Sequence, residues 1–303
     1  MSSHHLQNMQ IRQLATTIPT TATTAPANSI LKFGNPGPVN DLFERTAYTV
    51  SYNRRDRIPY WVGEHLTAAS LKEGPGVSRD KVTFKDDPAL PEIFRAYTKD
   101  YTNSGYDRGH MAPAGDAVST QQAMDETFLL TNIAPQIGPG FNRQYWAYFE
   151  KFCRDLTANF TDVYVYTGPL FLPQLTNTNN TFSFADAQMI VNPDGSVNVG
   201  AAGAAPATAG QPKYHMQYPL IGAKYPTIAV PTHFFKILLA TTNNVNYAAG
   251  SFVLPNQAIE HTIPLSRFQV DISAIEKASG LQFFQEIDRK TFTNLCTLVN
   301  CVL

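Results

Sequence analysis

Apolar and polar positions alternate in two early stretches, AYTVSYN (47–53) and IPYWVGEHL (58–66), split by the charged segment NRRDR. Period-two runs about such a turn predict a β-hairpin. PEIFRAYTKDYTNSG (91–105) places Ile93, Phe94 and Tyr97 at three-to-four spacing and predicts a helical beginning that ends in a turn. FLLTNIAPQ (128–136) reads as a buried strand, IGPG breaks the pattern, and NRQYWAYFEKFCRDLTANF (142–160) reads as a helix with Trp146, Phe149 and Cys153 toward the core. DVYVYTGPLF (162–171) and TIAVPTHFFKILLAT (227–241), rich in β-branched and aromatic residues, predict core sheet. DISAIEKASGLQFFQEI (271–287) reads as an amphipathic helix, or a helix pair broken near Gly280, and no internal repeat is present.

Between these elements, composition marks what should stay outside the core. Residues 1–29 contain no acid and one arginine among many Ser, Thr and Ala, which predicts a flexible leader or a trimmed targeting segment. FGNPGP (33–38) marks the boundary, so residues 30–303 form one expected domain, and PDGSVNVGAAGAAPATAGQPK (193–213) reads as a Gly/Ala-rich surface insertion. The chain is 43% hydrophobic and 16% charged, as in a globular protein, and its formal net charge is −1. Near-neutrality argues against a protein that coats nucleic acid and requires any anionic partner to be held by local cations. The absence of any apolar run of about eighteen residues argues against a membrane-spanning helix. Cys153, Cys296 and Cys301 lack C-x-x-C metal spacing; Cys296 and Cys301 either close a small loop or stay reduced.

The candidate chemistry centres on DRGHMAPAGD (107–116), a histidine ahead of a turn-like stretch. A strand at FLLTNIAPQ can fold back beside it, and the next helix opens with Asn142, giving a strand-strand-helix unit with an amide oxygen near an imidazole. Phosphodiester hydrolysis needs a base for water and a cation over the developing charge. His110, with an ordinary pKa of about 6.5, suits the first task. Mg²⁺ keeps most of its waters and needs about one or two protein oxygens, of which Asn142 offers one; the alternative role of Asn142 is a helix cap. Glu150 lies about two turns on from Asn142 and can edge the same cleft. Arg154 either steers a phosphate or pairs with Glu150 across one helical turn. Arg79 and Arg108 are phosphate clamps or else surface arginines. His65, His215, His233 and His261 read as structural, and His233 as a core residue.

Together DRGHMAPAGD, TNIAPQ and FNRQYWAYFE resemble the DNA/RNA non-specific endonuclease family, in particular its fungal mitochondrial endonuclease G branch. GYDRGH, TGPLFLP, AVPTHFFK and FVLPN fit the same branch, so the likeness spans roughly residues 30–303. It implies an α+β, ββα-metal nuclease fold whose mostly antiparallel central sheet is flanked by helices. It also implies Mg²⁺, with Mn²⁺ as substitute, cleavage of single- and double-stranded DNA and RNA to 5′-phosphate products, a homodimer, and a mitochondrial location. By motif, His110 becomes the general base, Asn142 the direct metal ligand and Glu150 the holder of metal-bound water. Arg79, in GVSRDKVTFKDDPAL, falls at a phosphate-contacting position, and Arg108, Asn132 and Arg154 at other site positions. The region 174–225 is longer than in the mitochondrial branch, and the leader lacks an Arg-rich transit pattern. Asn159 and Asn179 stand in glycosylation acceptors, so secretion is the alternative location. The competing functions are a metal-independent ribonuclease using the 2′-hydroxyl and an inactive nucleic-acid-binding protein on the same scaffold. Intact His110, Asn142 and Glu150 favour the active enzyme.

Overall fold

The longest apolar run becomes the middle of the sheet, in a computed structural model that describes residues 39–175, 188–191, 197–200 and 214–303. His233–Thr241 is buried at every position, because both faces of this strand are covered. In chain order the strands begin with β1 (Asp41–Glu44), β2 (Tyr48–Asn53), β3 (Ile58–Leu66), β4 (Asp107–His110), β5 (Ile133–Gln136) and β6 (Asp162–Leu170). The helices are α1 (Gln121–Thr127), α2 (Ala147–Asp155) and α3 (Ile272–Ser279). The sheet runs β1, β2, β3, β6, His233–Thr241, Tyr247–Pro255, Thr293–Asn294, and all its pairs are antiparallel except the last. The expected α+β class and mostly antiparallel sheet are therefore present. The chain divides into Met1–Val39 and Asn40–Leu303, and the sheet belongs to the second unit.

Alternation along the strands sorts side chains into two cores. Val163 and Val165 on β6, with Phe234, Leu238 and Ala240, pack inward against Trp146, Phe149 and Cys153, which face the core as the helical period predicts. Phe235 and Ile237 pack on the opposite face against Ala274 and Ile275 of α3 and against Phe283. Polar side chains interrupt the inner face: Lys236, 1% exposed, donates Nζ to the buried Thr167 Oγ1 at 2.7 Å and lies 4.8 Å from the Trp146 ring centroid.

The predicted hairpin forms from β2 and β3, with a register shift between Ser51 and Tyr52. Its turn is tightened by Asn53, whose side-chain oxygen accepts from the backbone of Arg55 and Asp56. The helical beginning expected at 91–105 takes the form of two short 3-10 helices, Glu92–Phe94 and Thr98–Tyr101, with Arg95 extended between them, and not of one continuous helix. Arg57 explains the break: its guanidinium takes the carbonyls of Ile93 and Arg95, which a continuing helix would need. Only the end of FLLTNIAPQ is strand, since Leu130–Asn132 makes a tight turn before β5. The 271–287 segment holds one helix, α3, which ends at Gly280 in the left-handed region. Cys296 and Cys301 form a disulfide, whereas Cys153 is free and buried. His233 is a core histidine with Nδ1 3.0 Å from Thr232 Oγ1, as expected. The leader 1–29, Asn179 and all of the 193–213 insertion except the backbone of 197–200 lie outside the described residues. Among those residues, no helix is long and apolar enough to cross a membrane.

Candidate active site

The DRGH motif is β4, and it pairs antiparallel with β5 so that Arg108 faces Pro135, Gly109 faces Ala134 and His110 faces Ile133. A side chain at position 109 would collide with Gln136, whose Oε1 lies 2.1 Å from where a Cβ would sit. Beyond β5 the chain turns through Pro139 and Gly140, which adopts φ +78°, and a helical segment then runs through Trp146 into α2. Glycine is required at 140 on two counts, since a Cβ there would also lie 2.5 Å from that of Ala258. This strand-strand-helix unit sets His110 on one wall and Asn142 and Glu150 on another wall of a cleft of about 590 Å³. Arg79, Arg108 and Arg154 line the same cleft, as do Tyr101, Tyr106, Asp107 and Arg143.

The environment of His110 is aromatic. Phe84 and Phe128 lie 5.3 and 4.9 Å from its ring centroid, and the same two rings carry the guanidinium groups of Arg108 (4.9 Å) and Arg79 (5.5 Å). Burial, and then the Arg79 charge, pushes the His110 pKa down to about 3. The ring is therefore neutral at ordinary pH, with a nitrogen lone pair unprotonated. Its Nε2 is shut away from solvent without a partner, which leaves Nδ1 as the nitrogen open to the cleft.

Asn142 is inside the helical segment and does not cap it. Its Nδ2 donates to Asp107 Oδ2 at 2.9 Å, and Arg143 holds the same carboxylate with two hydrogen bonds of 2.7 and 2.6 Å. Arg143 first, and Asn142 after it, keep Asp107 below the usual carboxylate range. With its amide nitrogen tied to Asp107, Asn142 has Oδ1 available to the cleft. Glu150, half-buried two turns later, has its pKa pushed up to about 7 by burial, against the pull of Lys236. A carboxylate that ionises with such difficulty gains from a nearby cation. The free donors are thus one amide oxygen and one carboxylate, all oxygen and few in number. That set fits a hard divalent ion that keeps most of its waters and does not fit a fully ligated zinc. Among the described residues there is no cluster of three or more His, Cys, Asp or Glu suited to a metal.

A sequence profile described as DNA/RNA non-specific endonuclease matches residues 26–290. The chain belongs to this family. It is 54% identical over 281 residues to a nuclease of Syncephalastrum racemosum, covering 93% of this chain and 79% of the relative. It is 48% identical to nuclease C1 of Cunninghamella echinulata var. echinulata, covering 91% and 96% of the two chains. The mitochondrial nuclease of Saccharomyces cerevisiae is 40% identical, with 90% and 74% covered. A chain of the EndoG/EndoGI complex, a crystal structure concerned with the mechanism of EndoG inhibition, superposes with a TM-score of 0.70 at 39% identity, covering 90% of this chain and 97% of that one. The family resemblance, the ββα-metal fold and the enzyme class, a phosphodiester-hydrolysing endonuclease, are therefore shown.

Within this family member, six of the seven predicted site residues meet at one cleft. Asn132 is the exception. It is fully buried, accepts from Ala112 N at 2.9 Å, and donates to the carbonyls of Ala112 (2.8 Å) and Thr127 (2.9 Å). Its amide fixes the chain just after His110, with both N–H groups spent and no exposed surface. Asn132→Ala should cost at least about 2 kcal/mol of stability, because it strands buried backbone groups. Denaturant unfolding measures this, and an unchanged midpoint would show that water replaces the amide. The pairing of Arg154 also differs from the helix-surface expectation, since its partner is Asp116 at 2.7 Å and not Glu150. Sequence reasoning did not single out Asp107, Arg143, Asp116, Phe84 or Phe128. Asp107 and Asp116 bracket the quoted motif itself, and Arg143 follows Asn142, so adjacency to the motif was the available signal. Phe84 and Phe128 carry no local mark.

Proposed function

We propose that the protein hydrolyses DNA and RNA without regard to the sugar, using His110 as general base at a Mg²⁺-dependent site and leaving 5′-phosphate products. The observation that carries this reading is a neutral, partly enclosed imidazole sharing one cleft with an unpaired amide oxygen, the Glu150 carboxyl and the guanidinium groups of Arg79, Arg108 and Arg154. His110 Nδ1 takes a proton from water, whose oxygen bonds to phosphorus. The P–O3′ bond breaks, and the departing oxygen is protonated from solvent. Arg79, Arg108 and Arg154 bind phosphate oxygens and orient the backbone. Asn142 Oδ1 would hold the metal directly and Glu150 its bound water. When bound, the ion neutralises the charge that gathers on phosphate oxygens in the transition state. Because water is the nucleophile, no 2′-hydroxyl is needed, and DNA and RNA serve alike.

Digestion of plasmid and of a structureless RNA, with Mg²⁺ and with EDTA, tests the reading. Loss of both activities in EDTA is expected. RNA cleavage alone that persists in EDTA would establish the ribonuclease alternative, and no cleavage under any condition the inactive scaffold. Mn²⁺ should substitute for Mg²⁺, and the enzyme should be a homodimer by light scattering. A mitochondrial location follows the designation of the yeast relative. Secretion is the second reading, favoured by the Cys296–Cys301 disulfide, which belongs in an oxidising compartment, and by the exposed acceptor Asn159.

The cleft also sets a pH dependence. His110 stays neutral down to about 3, whereas Glu150 gains a proton as pH falls through about 7. At low Mg²⁺ the acid limb of the rate therefore belongs to Glu150, with loss of about tenfold per pH unit below that point. Glu150→Gln should be slower throughout and lack this limb, and a limb unchanged in the variant would assign it elsewhere.

A further inference from the structure

Behind the cleft lies a group of buried charges that the hydrolysis described above does not use. Asp116 and Glu64 are each 6% exposed, and Asp116 is the residue that closes the DRGHMAPAGD stretch. Arg154 reaches from α2 to Asp116 with Nη1 2.7 Å from Oδ1. From the other side the buried Glu64, on the inner face of β3, interacts with the Asp116 carboxyl. Burial, and then the Asp116 charge, holds Glu64 well above the usual carboxylate range, so Glu64 favours its neutral form beside Asp116. Burial raises Asp116 as well, and the Arg154 guanidinium opposes that rise, favouring its ionised form. Lys236, the other buried cation nearby, is occupied by Thr167 and the Trp146 ring.

The placement of the guanidinium is equally constrained. Backbone at Gly115 approaches so closely that a Cβ there would lie 3.1 Å from Arg154 Nη1. The side chain is 27% exposed and lines the cleft, so one nitrogen is fixed by Asp116 while the rest of the fork faces the substrate space. A surface arginine placed for helix stability alone would meet Glu150 one turn away; this one is drawn to a carboxylate 38 residues distant in sequence. An arginine already ordered in the free protein loses little freedom when a phosphate arrives.

We propose that Asp116, backed by the buried Glu64, is the positioning residue for Arg154, and that the pair presents a pre-ordered guanidinium fork to a substrate phosphate. This rests on the assignment of Arg154 to substrate. The test is steady-state cleavage of a DNA duplex at several salt concentrations by Arg154→Ala, Asp116→Asn and the double variant. Each single change should raise KM by about tenfold or more and reduce the salt slope by about 0.9, the counterion share of one phosphate contact. The double variant should be no worse than Arg154→Ala alone, because residues acting as one unit are not additive. Losses that multiply, or an unchanged KM in folded Asp116→Asn, would overturn the proposal. Should Asp116→Asn fail to fold, Gly115→Ala and the Glu64 variants decide. Gly115→Ala should raise KM without lowering Tm, and Glu64→Gln, whose amide remains polar, should lose less than Glu64→Leu. Unchanged KM in Gly115→Ala and equal losses in the two Glu64 variants would overturn it. Unchanged KM in Arg154→Ala would remove Arg154 from the substrate site and this proposal with it, while cleavage by the unaltered enzyme would still stand as the nuclease reading.

Discussion

His110→Ala should lower the rate of cleavage by about 10²–10⁴, roughly 3–5 kcal/mol of barrier, with DNA still bound. The imidazole is the neutral side-chain base among the cleft residues, so its removal leaves water to be deprotonated by solvent. Arg79 and Arg108 rest on Phe128 and Phe84, and Arg154 on Asp116, so the arginines assigned to phosphate should stay in place. KM should consequently move much less than kcat. Raising the metal concentration should not help the variant. Added imidazole should restore part of the rate, since the vacated space between Phe84 and Phe128 admits a ring of the same shape. Single-turnover rates with and without imidazole measure this. A variant that retains most of its rate would show that another group takes the proton.

Much of this site could be read from sequence because its parts are short-range. DRGH, TNIAPQ and the helix carrying Asn142 follow one another in order, and a buried strand that can fold back beside DRGH ahead of a helix reads as strand, strand, helix. What escaped is what depends on distant partners. Glu150 and Arg154 stand one turn apart on α2, and local rules pair them; tertiary structure sends Arg154 to Asp116, because burial leaves Asp116 in greater need of a cation. Asn132 looked like a site polar residue by motif, and its burial among backbone groups is invisible until Ala112 and Thr127 are seen to converge on it. In the fold the same principle explains why the helical start at 91–105 is broken into two short 3-10 helices. The period at 91–105 favoured a helix, yet Arg57, from the far end of a hairpin, takes the very carbonyls the helix needs. Periodicity reports which face can be buried, and it is silent about a side chain that arrives from elsewhere to claim the backbone.

Asn142→Ala should fail in a different way, by losing the metal and not the base. Asp107 holds the Asn142 amide by its nitrogen at 2.9 Å, and Arg143 holds Asp107 in turn, so Oδ1 is aimed by two successive contacts. Removing the amide takes away the one neutral oxygen offered directly to a cation and leaves Glu150, which burial already makes reluctant to ionise. Mn²⁺ affinity measured by calorimetry on the protein without nucleic acid should fall by about 10–100-fold, in the range seen when groups that orient a metal are altered. Part of the lost cleavage should return at high Mg²⁺ or Mn²⁺, which His110→Ala should not show. Asp107→Asn provides an internal check. It weakens the hold of Arg143 and lets the amide swing, so its metal affinity should lie between that of Asn142→Ala and that of the unaltered chain. If Asn142→Ala binds Mn²⁺ as tightly as the unaltered protein, or if excess metal rescues His110→Ala instead, then base and ligand have been assigned to the wrong ends of the strand-strand-helix unit.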